Sequence, residues 1–225
     1  MKKIALSSLF LFLFVGMAWG VGQENLAVNI LDSQGLVKEI DGQAALPFYD
    51  EYKIRLVNHN DRKATAKVFI DGIPVSKLGD IIIPDNGRVD LERFLTHSLT
   101  EGARFKFVPL TDKRVDDPGR AENGLIRVEF KLERKIEIRP IEMPIYLSTE
   151  CLSTITTTAN NISTPLETMV MDSNTTLTSA SLEKGATIGG GISDQKFQYA
   201  HVDLEDKVIV LELKLRGFNR YGYLR

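Results

Sequence analysis

Along Ile126-Arg127-Val128-Glu129-Phe130-Lys131-Leu132-Glu133 every second side chain is apolar and every intervening one is charged. Successive side chains of a strand point to opposite faces of a sheet, so this pattern buries one face and wets the other. On a helix the same residues would scatter charge around the whole circumference. The alternation recurs in Tyr52-Lys53-Ile54-Arg55-Leu56 and in Ala103-Arg104-Phe105-Lys106-Phe107. Residues 26–31, 64–70, 81–83, 136–138, 186–188 and 208–215 fit the same template. Turn residues separate these segments, among them Asp41-Gly42, Asp71-Gly72, Asp85-Asn86-Gly87 and Asn123-Gly124. Many short strands between such turns predict an all-β chain built on an antiparallel β-sandwich. One short helix is expected over residues 91–99.

A membrane barrel also alternates, but its outward set is apolar and flanked by aromatic girdles. Here the polar positions of the best strands are full charges, which suits a sheet facing water.

The amino terminus bears on compartment. Lys2 and Lys3 precede an apolar run from Ile4 to Val15, 12 residues long, followed by the small residues Gly16, Ala18 and Gly20. A positive start, a short apolar core and small residues at alternate positions make a secretory signal peptide, and the run is shorter than the roughly 20 residues a spanning helix needs. Cleavage is expected after Gly20, leaving 205 of the 225 residues with a net charge of −4. The mature chain is expected to have no transmembrane segment and to be exported: periplasmic, cell-surface or extracellular. The only cysteine lies far downstream of the apolar run, so lipid attachment at the first mature residue is not expected.

Composition divides the rest. From Val21 to Leu147 the chain carries 19 Lys and Arg against 21 Asp and Glu, whereas residues 148–183 hold 16 Ser or Thr and no Lys or Arg. The expected organisation is a β-sandwich domain over residues 25–139, a connector over 140–147, a smaller Thr-rich β region over 148–216 and an aromatic, basic tail over 217–225. Near-neutral overall charge gives no electrostatic reason to expect nucleic acid.

Motifs for chemistry fail on their spacing. Gly189-Gly190-Gly191 lacks the following helix and the Lys-Ser/Thr pair that a phosphate loop requires, and reads as a glycine-rich turn or bulge between strands. His59, His97 and His201 stand far apart, without cysteine or carboxylate at metal-ligand spacing. No Gly-x-Ser-x-Gly or His-Glu-x-x-His is present. Oxygen ligands in residues 112–123 would suit Ca²⁺, but Lys113, Arg114 and Arg120 oppose it and the spacing is not that of an EF-hand, so a solvated connection is expected. No catalytic, cofactor-binding or metal residue is assigned, and no cofactor is expected.

Residues suited to contact with a partner remain. Cys151, the only cysteine, is either a buried small hydrophobe or a crosslink to a second chain. In the tail, Phe218, Arg220, Tyr221 and Tyr223 belong to types enriched at interface cores, although the tail reads equally well as a last strand. The apolar residues 21–31 are able to supply a strand to a neighbour.

Between residues 51 and 133 a strand ends in Asn58, a second runs into Asp71-Gly72, Ile81-Ile82-Ile83 ends at Pro84, and an aromatic strand with Phe105 and Phe107 precedes Gly124-Leu125-Ile126. This order resembles a β-sandwich module of uncharacterised bacterial exported proteins and of virus and phage structural proteins. The resemblance implies a structural or binding role and no catalytic residues. The expectation is therefore an exported, non-catalytic β protein that binds or assembles at the cell surface or in the periplasm, with a protein partner or self-association and with glycan as a further ligand class. The alternative is a secreted hydrolase or a carbohydrate-binding or carbohydrate-active protein.

Overall fold

The computed structural model describes residues 21–135 and 182–219. Among these residues every regular element is a strand. In chain order they are β1 (Val21–Gln23), β2 (Leu26–Asp32), β3 (Gly35–Leu36), β4 (Glu39–Ile40), β5 (Gln43–Pro47), β6 (Glu51–Asn58) and β7 (Ala64–Ile70). There follow β8 (Ile73–Pro74), β9 (Ile81–Ile83), β10 (Gly87–Leu91), β11 (Gly102–Pro109), β12 (Leu125–Leu132), β13 (Gly185–Ser193) and β14 (Ile209–Phe218). No helix among them is long and apolar enough to cross a membrane.

Two sheets pack face to face as a sandwich and do not close into a barrel. The first runs β1-β2-β6-β11-β13, with β10 also on β6 and β3 on β2; the second runs β4-β5-β14-β12-β7-β8, with β9 also on β7. Its ladders are antiparallel except for β14 on β5, which is parallel from Lys214 opposite Gln43 to Phe218 opposite Pro47.

The charged alternation does what its period requires. On β12 the residues Ile126, Val128 and Phe130 are buried, and their cross-strand neighbours Val68 on β7 and Leu211 on β14 lie on the same inner face. Across the core, Ile54 and Leu56 of β6 and Phe105 and Phe107 of β11 belong to the same apolar cluster. Burying each such side chain contributes about 1.5–3 kcal/mol, whereas a slip by one residue would turn the charged set inward.

The last two strands change the expected division of the chain. β13 pairs with β11 at the edge of the first sheet, and β14 lies between β12 and β5 inside the second. Residues 182–216, which the compositional change assigns to a second region, are therefore part of the same folded unit as residues 21–135. The reason is packing: Ile209, Leu211, Leu213 and Leu215 supply an apolar face that β12 and β5 need between them. The remainder of the Thr-rich stretch and the connector lie outside the described residues.

The helix expected over residues 91–99 is not formed. β10 ends at Leu91, and Arg93 and Leu95 make isolated bridges to Arg104 and Ser76. Leu91, Arg93 and Leu95 are all buried, a period-two pattern in which an arginine occupies an apolar slot.

Candidate functional site

Arg93 is wholly buried and meets no carboxylate. Its Nε and NH2 donate to the Gln195 carbonyl at 3.0 and 2.7 Å, and its NH1 donates to the carbonyls of Phe94, Ser98 and Glu101 at 3.1, 3.1 and 2.8 Å. These bonds engage all three nitrogens of the fork, and the Phe197 ring covers the guanidinium at 5.1 Å. Burial pulls its pKa below the ordinary guanidinium value, and the charges of Glu101 and Glu92 oppose that shift. Arg93 thereby fixes where the chain goes after β13. Gln195 is further tied by its own amide, which donates to the Asp90 carbonyl at 2.6 Å.

At its other end this segment is fixed to the second sheet. Glu205 N donates to the Leu132 carbonyl at 2.9 Å, Arg134 N donates to the Asp203 carbonyl at 2.8 Å, and Arg62 pairs with the Glu205 carboxylate. Residues 198–202, between these anchors, make no hydrogen bond among the described residues. A groove of about 460 Å³ lies between them and the stretch that leads into β9. Leu78, Ile82, Val89 and Phe197 form its apolar lining, with Asp80 and His201 among the polar groups. Tyr199, also on the lining, is 73% exposed, the highest value among the large hydrophobic side chains of the described residues. A groove of this size, lined in comparable measure by apolar and polar groups and carrying an exposed tyrosine, has the kind of chemistry that binding surfaces use.

A second cluster sits at the opposite end of β12. Asp71 follows β7 with φ of 53°, and its side chain is buried. Oδ1 accepts from Gly124 N at 2.7 Å and Oδ2 from Thr187 N at 2.6 Å. Burial pushes the Asp71 carboxyl up to about 6, against the lowering effect of those two amides and of Arg120. Beside it Tyr52 Oη shares a hydrogen bond of 2.9 Å with Thr187 Oγ1, and burial raises the phenol well above its ordinary value, so it stays protonated. Both carboxylate oxygens are occupied by backbone amides, which makes Asp71 a clasp between strands.

Gly189-Gly190-Gly191 lies inside β13, where the register to β11 shifts between Ala103 and Phe105. The bulge brings Gly191 N to the Glu51 carboxylate at 2.6 Å, and a Cβ on Gly190 would meet that carboxylate at 2.7 Å. In residues 112–123 the Asp112 carboxylate is held by the Arg114 guanidinium at 2.9 and 2.7 Å, and Asp117 Oδ1 accepts from Gly119 N at 3.0 Å. Among the described residues no three His, Cys, Asp or Glu side chains are placed to hold a metal ion.

Of the candidate partner contacts, only Phe218 is described. It ends β14 opposite Pro47, half-buried, and its carbonyl accepts from Phe48 N at 2.9 Å, so Gly217 and Phe218 are strand rather than free tail. Cys151, Arg220, Tyr221 and Tyr223 lie outside the described residues. The sequence reading missed Arg93, Asp71 and Tyr199. For Arg93 the signal was present, since it stands in phase with Leu91 and Leu95; Asp71 was absorbed by its turn with Gly72, and Tyr199 lies in a segment without period.

No family model, curated protein or solved structure matches this chain.

Proposed function

We propose that this protein is exported and non-catalytic, and acts by binding a protein partner or by self-association at the cell surface or in the periplasm. The observation that carries this reading is the groove beside residues 198–202, with its exposed Tyr199 and a rim pinned at both ends. The deeply buried polar groups support it too. Asp71, Arg93 and Ser193 are each engaged within the fold, the last donating its hydroxyl to Glu92, so none is left to act on a substrate. The strand order of residues 51–133, with its resemblance to modules of exported and virion proteins, points the same way.

Two measurements test the reading. Cell fractionation with amino-terminal sequencing should find the chain outside the cytoplasm, beginning at Val21. Sedimentation of the purified protein should show association that weakens in Tyr199→Ser, either with itself or with a protein co-purified from the same compartment. Hydrolytic turnover abolished by substitution of one carboxylate or serine would overturn the non-catalytic assignment.

A further inference from the structure

The face of the first sheet that is turned away from the core carries a trough of about 640 Å³, inside the roughly 300–1,000 Å³ of ordinary small-molecule sites. Strand register explains its shape. Gly22, Ala27, Val57 and Arg88 are successive cross-strand partners on β1, β2, β6 and β10. The first three are small, so this row lies lower than the next one, in which Asn29, Arg55 and Asp90 are partners. Asn25 and Asn86, in tight turns with φ of 62° and 44°, stand at the rim with His59.

The charges lining the trough do not cancel. Arg55 grips Asp90 through Nε and NH2, both at 2.7 Å, and Glu24 at the margin is held by Lys207 at 2.7 Å. The Arg88 side chain makes no hydrogen bond or ion pair among the described residues, its charge reaching only the field of Asp90, which Arg55 already holds, and the carboxamides of Asn25, Asn29 and Asn86 have no hydrogen-bond partner there either. The uncompensated charge is therefore a guanidinium, which takes a carboxylate through two parallel bonds. Carboxamides both donate to and accept from hydroxyl groups, and the small apolar floor suits the C–H face of a sugar ring. We propose that this trough binds an acidic saccharide, with a sugar carboxylate on Arg88, hydroxyls on the three asparagines and the ring over Ala27 and Val57. The trough is a different surface from the groove at Tyr199, and the inference does not depend on that groove.

Calorimetric titration of the purified full chain tests it, with tetrasaccharides containing glucuronate, galacturonate or mannuronate and with a neutral glucan of equal length. At least one uronate should saturate the protein, with the neutral glucan about tenfold weaker or more. Arg88→Gln and Ala27→Phe, the second filling the floor, should each weaken uronate binding by about tenfold or more. Both positions face solvent, and an unchanged thermal midpoint shows the fold intact; if Ala27→Phe does not fold, Arg88→Gln alone decides. The proposal is overturned by no saturation with any of the three uronates at millimolar concentration. Equal affinity for the neutral glucan, unchanged affinity in Arg88→Gln, or sulfate binding as tightly as the saccharide would each overturn it as well.

Discussion

Asp71 and Thr187 stand 116 positions apart, yet the carboxylate of the first accepts the backbone N–H of the second at 2.6 Å. Through the same carboxylate, Gly124 at the head of β12 is held at 2.7 Å. One side chain from the second sheet thus fastens the edge strand of the first, and occupies an amide that would otherwise be open to another chain.

Asp71→Ala should destabilise the fold by about 2–4 kcal/mol, because the buried N–H of Gly124 and the half-buried N–H of Thr187 lose a charged acceptor and gain no other. Asp71→Asn should cost less, since its carbonyl still accepts one of the two bonds. Urea unfolding followed by far-ultraviolet circular dichroism measures both, and equal stability of wild type and Asp71→Ala would refute the clasp.

The same residue sets a dependence on pH. Its carboxyl moves from 3.8 to about 6 on folding, so between those values the folded chain binds more protons than the unfolded one. This contribution to stability is fully present below about pH 4 and is lost as pH rises through about 6, at most about 3 kcal/mol for a shift of this size. Carboxylates that folding lowers, Asp112 through its hydrogen bonds from Arg114 and Asp90 through those from Arg55, work in the opposite sense and lose stability as pH falls. The comparison is therefore internal: from pH 4 to 7 the wild type should lose stability relative to Asp71→Asn. A difference that stays flat over that range would contradict the assignment.

Arg93→Met keeps the apolar stem but strips four carbonyl oxygens of their donor. Unfolding free energy should fall by about 3 kcal/mol or more, since several buried acceptors go unsatisfied together. Arg93→Lys should recover only part of it, because an ammonium lacks the planar fork that reaches Gln195 and Glu101 from one position. Hydrogen exchange should show the loss concentrated at Phe197, whose amide bonds the Leu99 carbonyl at 2.8 Å.

A chain that stops at residue 139 should not fold. It keeps β12 and β5 but lacks the strand between them, and with it the apolar face of Ile209, Leu211, Leu213 and Leu215. Losing four such side chains removes about 6–12 kcal/mol, comparable to the whole stability of an ordinary domain. Amide proton dispersion in solution provides the measurement, and a cooperative unfolding transition in that fragment would contradict the pairing described above.

Much of the fold is legible in the chain because a period of two decides which face of a strand is buried before any partner is chosen. The stretches around Ile54, Phe105 and Val128 are strands for that reason, with their charges outward. Local pattern misleads where one residue breaks it for a distant cause. Arg93 reads as a polar interruption, and only the carbonyls of Gln195, Ser98 and Glu101 make a buried guanidinium tolerable in an extended chain. Composition misleads in a similar way at residue 148: the loss of Lys and Arg is real, but β14 joins the first strands through an apolar face and β13 through its ladder to β11 and the Asp71 carboxylate, and neither carries a mark of sequence distance.

The sequence by itself determined that this chain builds sheets with one apolar face, because alternation is a property of neighbours along the backbone. The tertiary structure decided which strands meet, that residues 182–219 complete both sheets, and that Gly22, Ala27, Val57 and Arg88 form one row. Those relations depend on register between strands, and register is fixed only when the core closes around all of them together.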